Sequence, residues 1–183
     1  MSWSGSTTKS AIFQQAMLNP ITNGGGGVGA VTKPTTYTSL VADAVKVAVF
    51  NDTTTPDRAA AVGSTGFNTG TWTTTNEITG TNWASGGVSV GSSKTWTVDS
   101  GSSSLCFQVT APTAGQTSTA NVTLTSFVGA FVYDSTITGG TVASQGMCFN
   151  YFGGTQTVTA APFTILWATP ASAAITAIFN ISV

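Results

Sequence analysis

Histidine is absent from the 183 residues, glutamate occurs once (Glu77), and charged side chains make up 6% of the chain, against roughly a quarter in an ordinary soluble domain. Without histidine there is no Ser-His-Asp triad, no Cys-His pair, no His-ligated zinc or haem, and no ordinary proton shuttle at neutral pH. Five scattered basic residues and a net charge of −1 give no electrostatic footprint for nucleic acid. The longest apolar runs, residues 47–50 and 127–133, fall far short of the ~20 residues that span a bilayer, so no membrane partner is expected. The N-terminal apolar stretch is broken by Gln14, Gln15 and Asn19 and lacks the core of a signal peptide, which predicts synthesis in a cytoplasm. Cys106 and Cys148 each sit among apolar neighbours and are expected as reduced, buried thiols.

The chain is instead rich in small hydroxyls and glycine, with 35 Thr, 20 Ser and 21 Gly. Its 41% hydrophobic content, with five Trp and ten Phe, argues against disorder. Abundant Thr, Val, Phe and Trp with few helix formers favour strands. Residues 44–50 alternate Val45, Val47 and Val49 with Lys46 and Ala48, then end in an Asn-Asp-Pro turn. Further strands are expected near 71–80, 88–98, 105–110, 119–125, 126–133, 145–152, 162–167 and 174–181, with residues 59–70 as a loop carrying a possible helical start at Ala59. The expected fold is all-β, an antiparallel β-sandwich or jelly-roll-like domain over residues 37–183.

Residues 1–36 differ in character. Residues 11–19 could form a short helix ended by Pro20, and the glycines from Gly24 to Gly29 read as a hinge. The segment is either a tail or an arm whose hydrophobic peg (Trp3, Ile12, Phe13, Met17, Leu18) orders against a neighbouring subunit.

Catalytic chemistry finds few candidates. Glu77 paired with one of Asp43, Asp52, Asp57, Asp99 or Asp134 could act on a glycoside, but the neighbours of all six acids suggest turns or surface. Asp134-Ser135-Thr136 resembles an aspartic-protease loop without its glycine, no Ser-x-x-Lys pattern occurs, and Lys9 has no glycine-rich loop before it. Asp52, Thr54 and Asp57 could offer oxygen ligands to calcium, yet such carboxylates more often cap their own turn. The expectation is a non-enzymatic chain with no catalytic residues, no cofactor and no metal. Trp72, Trp83 and Trp96, flanked by Thr or Asn, read either as core or interface residues or as a sugar-stacking platform.

Sheet edges in a free monomer are usually guarded by charge, lysine above all. Eleven charges for about eight strands are too few for that device, so sister copies and a larger lattice are expected to cover much of the surface. The competing account is that Thr and Ser hydroxyls suffice for solubility.

Several segments resemble a family of small virion proteins of tailed bacteriophages: Val45-Lys-Val-Ala-Val-Phe-Asn-Asp52, Thr55-Pro-Asp57, Asn76-Glu-Ile-Thr-Gly-Thr-Asn-Trp-Ala-Ser-Gly-Gly-Val88, Gly129-Ala-Phe-Val-Tyr-Asp134 and Phe163-Thr-Ile-Leu-Trp167. The resemblance covers residues 44–167 and lies in strands and turns, so it marks a scaffold and no reactive site. It implies a capsid decoration or minor capsid protein on the outer surface of the virion, with the major capsid protein and its own copies, as a homotrimer, for partners. Its interface would draw on Trp3, Ile12, Phe13, Met17, Leu18, Trp72 and Trp83. A minor tail protein and a carbohydrate-binding module on a tail tip are the alternatives.

Overall fold

A computed structural model of the chain describes residues 11–12, 41–57, 60–91, 94–99, 104–109, 115–117, 121–140, 142–166 and 177–182. Within them the fold is all-β and antiparallel, with no α-helix among the described residues. The strands are β1 (Ala11–Ile12), β2 (Val45–Phe50), β3 (Glu77–Ile78), β4 (Val88–Ser89), β5 (Lys94–Asp99), β6 (Ser104–Val109), β7 (Gly115–Thr117), β8 (Val122–Asp134), β9 (Gly146–Ala161), β10 (Thr164–Leu166) and β11 (Ala177–Ser182). The largest sheet runs β1-β9-β8-β2-β3, with β4 also on β2; β11-β6-β5 and β10-β7 form two smaller sheets. One buried cluster joins β2, β8 and β9 to Phe107 of β6, Ile165 of β10 and Ile178 of β11, the cross-sheet packing of a β-sandwich.

The centre of the large sheet is the β2–β8 ladder, in register from Val45↔Asp134 to Phe50↔Gly129. Alternation predicts one wet face for β2, but Val45, Val47, Ala48, Val49 and Phe50 all have no exposed surface. Small Ala48 and β-branched valines suit a strand covered on both sides. The free edge of β2 is covered twice, by β4 at Lys46 and Val47 and by β3 at Val49 and Phe50.

Elsewhere the structure departs from expectation. The segment expected at 126–133 and residues 122–125 of the one expected before it form a single strand, β8, that turns through Ser126 at φ 60° while its register against β9 shifts. β9 runs beyond Phe152 to Ala161, accommodating extra residues around Gly153 (φ 85°) as a bulge. Ala59, where a helical start was expected, lies outside the described residues; a 3-10 turn stands just after it at Val62–Ser64. Ala11–Ile12, expected to open a helix, instead form strand β1 on Phe149 and Cys148 of β9, where ladder hydrogen bonds to a sheet edge outweigh local propensity. Cys106 and Cys148 are buried and form no disulfide, as expected.

Aromatic packing fills the space beside the ladder. Trp72 stacks on Phe131 (centroids 4.3 Å apart, planes at 18°) and meets Phe50 edge-on at 5.4 Å. It is 1% exposed. Trp72→Ala should therefore lose about 3–5 kcal/mol of unfolding free energy in the isolated chain. Urea denaturation measures this, and a loss below about 1 kcal/mol would contradict a core role.

Candidate functional site

The residues singled out as an interface are distributed differently from expectation. Trp83, with no exposed surface, packs against Phe163 at 5.4 Å. Together with buried Trp72 it belongs to the core of a single chain, so neither indole is available to a neighbouring subunit or a sugar. Half-buried Trp96 leans on Phe107 at 5.2 Å, which leaves no platform of three tryptophans. The flanking Thr and Asn suggested exposure, but large rings gain most by filling the space between layers. Of the proposed peg, the backbone of Ile12 lies in β1; Trp3, Phe13, Met17 and Leu18 lie outside the described residues.

Acidic residues supply the unexpected feature. Asp52 and Asp57 are exposed in their turn, but Asp43, Glu77 and Asp134 are 4%, 6% and 0% exposed. The expectation that all six acids sit in turns or on the surface fails at Glu77 and Asp134, which are buried in strands, while Asp43 is buried within a turn. Each buried carboxyl is held by a specific local arrangement.

Glu77 sits in β3 beside Phe50 and organises the loop that follows. Its Oε2 accepts the Ser85 hydroxyl at 2.6 Å and its Oε1 accepts the Gly86 N–H at 2.8 Å, with a further backbone bond from Gly87. The Tyr133 hydroxyl donates to Gly86 O at 2.8 Å and ties the same loop to β8. Gly87 must be glycine: its φ is +64°, and a Cβ would stand 1.8 Å from Val47 O. Loop residues 79–87 are thereby pressed onto the backbone of β2. Burial raises the Glu77 pKa, against the lowering effect of these hydrogen bonds, and burial with the Glu77 charge raises that of Tyr133. Both Glu77 oxygens are taken up by donors of its own loop, so the carboxylate works as a brace. The sequence signal was a lone glutamate followed by Ser85-Gly86-Gly87.

Asp43 and Asp134 form the second arrangement, where the chain enters β2 and leaves β8. Asp134 Oδ1 accepts the Thr136 N–H at 2.9 Å, while Oδ2 is buried with no hydrogen-bond partner. Asp134 is raised to about 7, first by burial and then by the neighbouring Asp43 carboxyl, against lowering by the Thr136 amide. Burial likewise pushes the Cys148 thiol up to about 12, with the Asn150 amide at 3.6 Å opposing it, which leaves it an inert thiol at neutral pH. Among the described residues no group of three or more Cys, Asp or Glu converges to hold a metal ion, and no helix is long and apolar enough to cross a membrane. Comparison with protein-family models, curated proteins and solved structures found no match to this chain.

The buried acids fix the direction of the pH dependence. A carboxyl with a raised pKa in the folded state binds a proton more readily folded than unfolded. The stability it contributes is complete below the unfolded Asp value of 3.8 and is lost as pH rises through about 7. Glu77 acts in the same direction. Unfolding free energy from urea titrations should fall by on the order of 2–4 kcal/mol between acidic and mildly alkaline pH; a rise over that window would contradict the assignment.

Proposed function

We propose that this chain is a non-enzymatic virion structural protein that decorates and stabilises a tailed-bacteriophage capsid. It acts as a homotrimer that cements neighbouring capsomers through its β domain and the N-terminal segment 1–36. The observation that carries this reading is the state of the charges. Asp43, Glu77, Lys94 and Asp134 are buried, so of eleven charged side chains at most seven remain for the surface.

The consequence is clearest along β9. From Gly146 to Leu166 there is no charged residue, yet Gly153, Thr155, Gln156, Thr157, Thr159 and Ala160 are exposed. Val98 of β5 is 73% exposed. An uncharged, exposed strand invites pairing with other chains, and a fixed neighbour in an assembled shell makes that pairing specific. Neutral charge also suits the outside of a capsid better than its DNA-lined interior. Three linked copies bind with avidity, so each contact can be modest. The resemblance to tailed-phage virion proteins points the same way. Its motif residues Glu77, Gly86, Gly87 and Tyr133 brace a loop, a structural use that fits a scaffold protein.

The described core cluster is built from Val45 onward, and β1 adds a two-residue edge to β9. Deleting residues 1–36 should therefore leave a folded β domain while abolishing binding to capsids that lack the protein. Co-sedimentation of full-length and truncated chains with such capsids measures this, and equal binding by both would contradict a role for the segment.

A further inference from the structure

The two edges of β9 differ. One pairs with β8; the other takes β1, antiparallel, at Phe149 and Cys148, and no described strand pairs with that edge past Phe149. Beyond the bulge at Gly153 (φ 85°), the chain runs from Thr155 to Thr159 before Ala160 again takes a positive φ of 46°. Those five residues, Thr-Gln-Thr-Val-Thr, place threonine symmetrically about Thr157. Thr155, Thr157 and Thr159 share one face of the strand and are exposed, as is Gln156, while half-buried Val158 packs against the core cluster. No charged residue occurs between Gly146 and Leu166.

We propose that this stretch is a self-complementary edge, through which two copies of the chain pair antiparallel about Thr157, with Thr155 of one facing Thr159 of the other. The edge already accepts an antiparallel strand at β1, and the pairing between copies continues that side of the sheet past Phe149. Strands without charge meet their own copies freely, where edge lysines would repel. Reversing the same five residues puts threonine opposite threonine at every position of the outer face and Gln156 opposite Val158 on the other. Threonine pairs of this kind stabilise antiparallel strands, so the partner that matches the edge is a second copy. A two-fold contact joins copies in pairs and does not close a ring of three. It therefore links one trimer to the next. Five residues from each copy make a weak joint alone, which suits copies that a shell already holds side by side.

The pairing deepens the decoration role proposed above and takes from it the setting in which copies lie side by side, but its test needs no capsid. Thr155→Cys and Thr159→Cys are made as separate full-length chains, in which Cys106 and Cys148 are buried and stay out of the reaction. Each variant alone, and the two mixed, are oxidised with copper phenanthroline at about millimolar chain concentration. Pairing about Thr157 brings residue 155 of one chain within disulfide reach of residue 159 of the other, while two residues 155 stand about 13 Å apart. Disulfide-linked dimers should form at least about tenfold faster in the mixture than in either variant alone. Thr157→Lys in both chains sets two like charges face to face and should remove that difference. Equal rates in the mixture and the single variants, or a difference that survives Thr157→Lys, would overturn the pairing. Capsid binding by chains that fail this test would leave the decoration role standing, and chains that pass it without binding capsids would overturn that role alone.

Discussion

Burial of β2 on both faces is the constraint from which most of the structure follows. A strand with no exposed surface at Val45, Val47, Ala48, Val49 or Phe50 must be apolar at those positions and covered on both faces, with half-buried Lys46 the one charged residue in it. β8 pairs along one edge; β3 and β4 share the other. The loop between β3 and β4 must then lie directly on the β2 backbone, which explains why glycine stands at 87 and why a buried glutamate holds the loop closed. Trp72, stacked on Phe131 and edge-on to Phe50, closes the space beside the ladder. Buried Asp134 sits at the end of the same ladder, opposite Val45, where the chain enters β2.

Much of this was legible in the sequence because period and residue type agreed. Residues 44–50 read as a strand from their valines, and so did the apolar run before Asp134. Cys106 and Cys148 read as buried from their neighbours, as they are. Other features depend on partners distant in the chain. Ala11–Ile12 became a strand because β9 offered an edge. The length of β9 depended on a bulge at Gly153 that no local pattern announces. Trp72 and Trp83 have polar neighbours in sequence, and only the closing of the layers buries them.

The acids were misread for a related reason. Asp and Glu beside Ser, Thr and Gly usually mean solvated turns, and that rule holds for Asp52 and Asp57. It fails where a turn folds over the central ladder and carries its carboxyl inward with local donors attached, as at Glu77 and Asp134. The chain thus spends part of a small stock of ionisable groups inside. Its surface is left with hydroxyls and amides, which dissolve a protein but do little to forbid strand pairing between copies.

The central claim is that this charge-poor surface is occupied by sister copies. Sedimentation equilibrium of the purified full-length chain, across a wide concentration range at near-physiological salt, tests it most directly. A trimer that persists on dilution is the predicted result. A single species of monomer mass at every concentration would contradict it.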